Sequence, residues 1–236
     1  MKPILQNALP DAQRGDLRLP GTMPCDADNW LLVDEAYAAQ MDYRALLLND
    51  RPEAVLCEAG APGREVLEEA LRILPKLGFS VSDTSVTCPD ARVILIDRKA
   101  PLRTLGHLVQ EDICILEKRG DKHVLTGAVL CFPANWRLAE KINRPLIAIH
   151  QPVPQYDDNI ARRVQRLFDG VRVGNPMWRF NRLSYSDADL HQLYKKVDGD
   201  QTPFVRSERQ CILRLPRTDA VVFTIHTYVV QAPGHS

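Results

Sequence analysis

The stretch that most constrains the fold spans residues 125–154, with the sequence LTGAVLCFPANWRLAEKINRPLIAIHQPVP. It predicts a strand, then a helix that begins at Asn135, then a second apolar run that ends at His150. Pro152 and Pro154 follow, and because proline fixes φ and lacks an amide hydrogen, a central strand cannot continue past His150. A histidine held there can direct a ring nitrogen into a cavity. The alternative is a core histidine that bonds a nearby carbonyl.

The composition excludes several classes of protein. The chain has 236 residues, 45% of them hydrophobic, which is enough for one substantial core or two small, closely packed ones. Thirty basic residues balance thirty acidic ones and no basic block occurs, so neither nucleic acid nor an anionic membrane is expected as a partner. No apolar stretch is long enough for a membrane span, and the first residues lack the apolar segment of a signal peptide. A cytoplasmic location is therefore expected.

The six cysteines are widely spaced, and none belongs to a C-x-x-C pair. This spacing argues against a zinc ribbon, a thioredoxin-like site and a plant-type iron–sulfur cluster. Several of the cysteines lie in apolar runs, where a thiol behaves as a small hydrophobic group.

The order of the predicted elements indicates an α+β fold in a single domain. Residues 1–28 are predicted to be an irregular lead-in and residues 29–90 a mostly helical extension, in which GREVLEEALRILPKLG has the periodicity of an amphipathic helix. ARVILID has the composition of a buried strand. Two hairpins follow, one turning at Gly120 and Asp121 and the other across residues 216–219. Helices followed by antiparallel hairpins are typical of α+β proteins.

Several segments also resemble a known family. In chain order they are QEDICILEK, TGAVLCFPANW, EKINRPL, IHQPVPQYD, RLFDGVR and RSERQCILRLPRTDAVVFTIHTYV. Together they resemble the haem-dependent oxidative N-demethylase alpha-subunit-like family. In the first half of the chain the resemblance rests on WLLVDEAYAAQMDYRALLL. It implies a PAS-like fold, in which an antiparallel sheet flanked by helices holds the cofactor on its concave face.

The resemblance implies that the cofactor is haem b. Among the six histidines, His150 and His226 combine apolar flanks with a predicted strand, and the resemblance favours His150 as the axial ligand of the iron. No C-x-x-C-H motif is present, so the haem would be held without a covalent link. Trp136 could form a wall of the pocket, and Gly127 could leave room above its strand for a flat macrocycle. A core tryptophan and an ordinary packing contact are the alternatives for these two residues.

The resemblance also implies an activity. The chain would be the oxygen-activating subunit that oxidises a methyl group of a small secondary amine with dioxygen and releases formaldehyde. Electrons from NADPH would arrive through flavin and iron–sulfur components, and because this sequence has no G-x-G-x-x-G or P-loop motif, those belong on separate reductase subunits. Glu111 and Asp112 could receive a cationic amine, or could simply be a polar strand entry. The alternative function is a non-catalytic PAS-like sensor that binds haem or another small ligand.

The turn at residues 216–219 predicts a second group of candidate residues. It places Arg209 opposite His226 and Ser207 opposite Tyr228, so that Arg209, His226 and Tyr228 share one face of the hairpin. These three side chains could polarise bound dioxygen or orient a small polar substrate. The alternative is a sheet edge at which long polar side chains emerge into water.

Overall fold

The computed structural model describes residues 2–15, 21–150, 158–194 and 202–233, and for His150 and residues 158–162 it describes the backbone alone. Pro152 and Pro154 therefore lie outside the described residues. The strands are β1 Met23–Pro24, β2 Leu56–Cys57, β3 Ser80–Val81, β4 Ser85–Thr87, β5 Val93–Leu95, β6 Asp112–Arg119, β7 Lys122–Val129, β8 Met177–Tyr185, β9 Phe204–Arg214 and β10 Val221–Gln231. The α-helices are α1 Tyr37–Asp50, α2 Pro52–Val55, α3 Gly60–Ile73, α4 Pro101–Leu108, α5 Leu138–Lys141, α6 Leu146–His150 and α7 Asp158–Gly170. Short 3-10 helices lie at Asp11–Gln13 and Leu74–Leu77.

Seven strands form one antiparallel sheet in the order β1-β8-β9-β10-β6-β7-β2, and β3, β4 and β5 form a separate small sheet. Side chains alternate along β9 and β10, so the large sheet has two distinct faces. The first face carries Cys211, Leu213 and Thr224, and the second face carries Ile212 and Phe223. Helices cover both faces, which confirms the predicted α+β class.

Both predicted hairpins are confirmed. The β6–β7 hairpin turns at Gly120, whose φ of 64° lies in the left-handed region that glycine adopts without strain. In the β9–β10 hairpin the amide of Leu215 donates to the carbonyl of Ala220 over 2.9 Å, which closes the loop. Closure at this pair fixes the register of both long strands.

Helices α1, α3 and α4 pack on the first face. Helix α3, predicted from its periodicity, buries Val66, Leu67 and Ala70. Helix α4 lies between α1 and β7, where a β-carbon added at Gly106 would come within 2.8 Å of the side chains of Leu48 and Val129. Only glycine allows this approach.

Helices α5, α6 and α7 connect β7 to β8 and cover the second face. Leu138, Leu146 and Phe168, one from each helix, are buried there against Ile212 and other residues of the sheet. None of the helices in the described parts of the chain is long and apolar enough to cross a membrane.

Three of the predicted elements are wrong in detail. Asn135 does not begin a helix, because its φ of 62° is left-handed and α5 begins only at Leu138. The second apolar run is α6 and not a strand, since an apolar run this short has no periodicity to separate the two and Pro145 before it suits a first helical turn. The strand in ARVILID is present as β5, but it is not buried, because Val93 and Leu95 share one face of the small sheet and both are exposed there.

One buried ion pair joins the first-face helices to the sheet. Arg44 of α1 donates to Asp112 Oδ1 over 2.7 Å, and neither side chain is exposed. The other guanidinium hydrogens bond the carbonyls of Gly106, Gln110 and Glu111. The Asp112 carboxylate also accepts the amides of Cys131 and Phe132, at 2.7 and 2.8 Å. The contact therefore connects α1, the end of α4, the start of β6 and the segment after β7.

We expect Arg44→Met to lower the free energy of unfolding by about 3–5 kcal/mol, because it leaves the Asp112 carboxylate buried without its counter-ion. The matched control is Arg72→Met, which breaks the exposed pair of Arg72 with Asp28 and should cost about 1 kcal/mol or less. Urea denaturation followed by circular dichroism measures both variants. Equal losses in the two would contradict the importance of the buried pair.

Candidate functional site

The structure confirms the predicted pairing of β9 with β10. Arg209 lies opposite His226, and Ser207 lies opposite Tyr228. Arg209, His226 and Tyr228 therefore lie together on the first face. Their exposed fractions are 7%, 0% and 5%, so the alternative that they emerge into water at a sheet edge is wrong.

His226 lies between two carboxylates. Its Nδ1 is 2.8 Å from Glu111 Oε1, its Nε2 is 3.1 Å from Asp34 Oδ2, and its ring centre is 4.7 Å from that of Tyr228. Burial alone would lower the pKa of His226, but the charge of Glu111 and the hydrogen bonds to Asp34 and Glu111 outweigh it and raise the pKa to about 9. At neutral pH the ring is an imidazolium.

Both carboxylates beside His226 have a further partner in the N-terminal segment, by which we mean the described residues before α1. Asp34 also accepts from the side-chain amides of Gln6 and Gln110. Burial would raise the pKa of Asp34, yet these bonds and the one from His226 hold it below its usual value. Glu111 Oε1 accepts the amide of Leu32, whereas its Oε2 is buried without a hydrogen-bond partner in the described part of the chain. The network thus ties the N-terminal segment to the sheet.

Arg209 is likewise covered by the N-terminal segment. Its Nη2 donates to the carbonyl of Asn29 over 2.6 Å and lies 3.4 Å from Cys25 Sγ, and its guanidinium is stacked 5.2 Å from the ring centre of Trp178. The Arg209 and His226 side chains therefore bond protein groups and not open space.

Glu111 and Asp112 do not form a free acidic site. The first is bonded to His226 and the second to Arg44, and both are fully buried. In this packing neither carboxylate receives a substrate cation, and neither is a solvated strand entry.

The predicted cofactor-binding residues lie on different faces. Helix α6 ends at His150, whose side chain lies outside the described residues, and Ile149 of α6 packs in the second-face cluster that also includes Trp136. Gly127 pairs with Ile115 on the first face, where a β-carbon would overlap Ala59. The packing alternative for Gly127 is therefore correct, and the expected room for a macrocycle is filled by protein.

The described residues do not bring the members of the predicted oxygen site together. A haem held by His150 with Arg209, His226 and Tyr228 on its oxygen side requires all four residues at one cavity. Helix α6, which ends at His150, packs on the second face. Arg209, His226 and Tyr228 lie on the first face, with the sheet between them and α6. The alternation of side chains within the hairpin was predicted correctly. That alternation carries no information about which face of the sheet each helix covers.

A cavity of about 360 Å³ lies on the second face, within the range of roughly 300–1,000 Å³ that is usual for small-molecule sites. Its lining residues are Thr22, Arg163, Val164, Arg166, Leu167 and Arg179. Val164 and Leu167 belong to the same apolar cluster as Ile149 and Trp136. The sequence interpretation missed the three arginines, because their proximity depends on how α7 packs against β8.

A larger cavity of about 430 Å³ lies beside α1 and has a different chemistry. Its wall includes Lys2, Tyr43, Asp187 and Asp189, and the Tyr43 hydroxyl donates to Asp189 over 2.9 Å. Its two aspartates make it unsuited to a ligand that carries carboxylates. Within the described ranges, no group of three His, Cys, Asp or Glu side chains is arranged to hold a metal ion.

A comparison with known families gives one match. The family model described as haem-dependent oxidative N-demethylase, alpha subunit-like, matches residues 21–233 of the chain. The matched range begins before β1 and ends after β10, so it contains the whole of the large sheet and both of its helical layers.

The raised pKa of His226 predicts a specific pH dependence of stability. Its folded pKa of about 9 exceeds the value of 6.5 for a free histidine, so its contribution is complete below about pH 6.5 and is lost as the pH rises through about 9. We expect the free energy of unfolding to fall by about 3 kcal/mol between about pH 7 and about pH 10. His226→Gln should be less stable at neutral pH and should lack this fall.

His123→Gln is the matched control for His226→Gln. Burial lowers the pKa of His123, so that ring is neutral throughout the same interval and its removal should leave the slope unchanged. Urea unfolding at several pH values measures the wild type and both variants. A wild-type slope that survives in His226→Gln would show that another group is responsible.

Proposed function

The chain belongs to the haem-dependent oxidative N-demethylase alpha subunit-like family, and we propose that it is the haem-binding, oxygen-activating subunit of such an enzyme. The family match across residues 21–233 is the observation that carries this proposal. We take residues 1–236 as a single PAS-like haem-binding domain, in which helices between β7 and β8 cover the sheet face that receives the cofactor.

The second-face cavity fits a haem in its chemistry. Haem has a flat apolar body and two propionate carboxylates, so its site needs apolar walls and cationic groups. Val164 and Leu167 supply apolar surface, and Arg163, Arg166 and Arg179 supply positive charge that no carboxylate in the lining neutralises. The same cavity would be a poor site for a free cationic amine, because the amine would meet like charge.

His150 is the proposed axial ligand of haem b. It is the last residue of α6, directly after Ile149, which packs in the same cluster as the apolar wall of the cavity. A neutral imidazole forms a strong axial bond to iron. Trp136, half-buried in that cluster, would complete an apolar wall. Gly127 is left out of the proposed site because it lies on the other face.

Bound haem would supply the oxygen-activating chemistry that oxidises the methyl group of a small secondary amine, with release of formaldehyde. The chain itself would orient the cofactor, through the cavity walls, and exclude water by the packing of α6 and α7 over the sheet. Arg209, His226 and Tyr228 would act at a distance, by fixing the N-terminal segment against the first face. In that role they position the sheet and do not touch substrate.

Reducing equivalents would come from partner chains. The sequence has no nucleotide-binding or iron–sulfur motif, so electrons from NADPH would pass through flavin and iron–sulfur centres on separate reductase subunits. A cytoplasmic location agrees with this supply of NADPH, and all the cysteines are free thiols, as in a reducing compartment.

We expect His150→Ala to lose the Soret band of the haem-loaded protein while keeping the far-ultraviolet circular dichroism of the wild type, because no other side chain would replace the axial bond. His107→Ala is the control, since His107 lies in α4, on the first-face side. An unchanged Soret band in His150→Ala would assign the iron to another ligand. Absence of a Soret band from the wild type after reconstitution with haem would exclude haem binding altogether.

We also expect the haem-loaded chain to release no formaldehyde from dimethylamine with NADPH alone, and to do so when a flavin and iron–sulfur reductase is added. Formaldehyde trapping measures turnover in both mixtures. Release without a reductase would contradict the need for partner chains. A Soret band with no turnover under any electron supply would favour the sensor function over the enzyme.

A further inference from the structure

Three arginines line the second-face cavity. Arg163 and Arg166 extend from α7, and Arg179 extends from β8, so the three guanidinium groups come from both sides of the cavity. None of the three forms an ion pair or a hydrogen bond with any residue that the structure describes. Arg163 and Arg166 are exposed, whereas Arg179 is half-buried. Arg44 and Arg206, which are buried, and Arg92, which is half-buried like Arg179, each pair with a carboxylate.

Arg179 is the most informative member of this group, because it is half-buried. Burial lowers its pKa, and Glu208 is the one charge that opposes this effect. The Glu208 carboxylate is already occupied, since Oε1 accepts from Arg206 and Oε2 accepts from Asn181 and Gln210. A guanidinium held partly out of water is costly without a bonded anion, and no described residue supplies one to Arg179, which favours a ligand that does.

The two helix arginines strengthen this argument. Arg163 and Arg166 are three residues apart, so they lie on one side of α7 and repel each other. Val164 and Leu167 beside them face the apolar cluster. The cavity therefore has an apolar wall and a cationic rim, which is the pattern expected for a flat apolar ligand with carboxylates along one edge.

We propose that Arg163, Arg166 and Arg179 bind the two propionate carboxylates of the haem, and so fix the edge of the macrocycle that lies between α7 and β8. Guanidinium groups suit this task because their paired N–H donors match the two oxygens of a carboxylate. The inference rests on the proposed function, and it adds the residues that set the orientation of the cofactor within the cavity.

The test compares haem with its dimethyl ester, in which both propionate charges are removed, by Soret titration of the full-length protein. The wild type should bind haem at least roughly tenfold more tightly than the ester. Arg179→Met and the double variant Arg163→Gln/Arg166→Gln should each weaken haem binding by roughly tenfold or more and leave the affinity for the ester unchanged.

Arg182→Met is the matched control for Arg179→Met. Arg182 lies on the same strand, but its side chain is directed away from the cavity and donates to the carbonyls of Gln13 and Arg14. This change should leave both affinities as in the wild type. An equal effect of Arg182→Met and Arg179→Met would show a general loss of charge and overturn the proposal.

The outcomes separate this inference from the proposed function. If the wild type binds haem and the ester equally, or if the cavity variants keep the wild-type preference, the propionates are bound elsewhere while haem binding stands. If the wild type binds neither compound, the proposed function and this inference both fail. If added inorganic phosphate displaces haem from Arg182→Met but not from Arg179→Met, that supports an anion site at Arg179.

Discussion

The buried pair of Arg44 and Asp112 is the contact on which the rest of the architecture depends. The free-energy cost of an isolated carboxylate in the core would be prohibitive. The Asp112 carboxylate is stable there only because Arg44 and two backbone amides bond it. Those amides belong to Cys131 and Phe132, directly after β7, and the guanidinium also holds the carbonyls that precede β6. The pair therefore fixes where the central hairpin starts and where the chain leaves it. The helical layer of the second face begins at that exit.

The sheet separates two kinds of polar chemistry. On the first face the His226 imidazolium lies between Asp34 and Glu111, and the N-terminal segment closes over it. Such a network favours one arrangement of the segment because each member would be costly to leave unpaired. On the second face the lining of the cavity carries three guanidinium groups and no carboxylate.

The sequence predicted the hairpins well and the site poorly, for a physical reason. A short loop and strict alternation determine register locally, so the pairing of Arg209 with His226 followed from the chain between them. The partners of His226 did not, because Asp34 is 192 residues away and reaches it only through tertiary packing. The apolar run that ends at His150 is too short to show a period, so strand and helix could not be told apart. The sequence around Arg179 gave no sign of the cavity either, because most of the side chains that line the cavity with Arg179 come from α7.

Net charge illustrates the same limit. Thirty acidic and thirty basic residues cancel over the whole chain, and this balance gives no reason to expect nucleic acid as a partner. It says nothing about where the charges lie. Glu208, the acidic group whose charge acts on Arg179, is hydrogen-bonded to Arg206, Asn181 and Gln210 and not to Arg179. A chain without net charge thus has a cavity lined by three arginines and by no acidic residue. We propose that this local imbalance, between α7 and β8, selects for an anionic ligand.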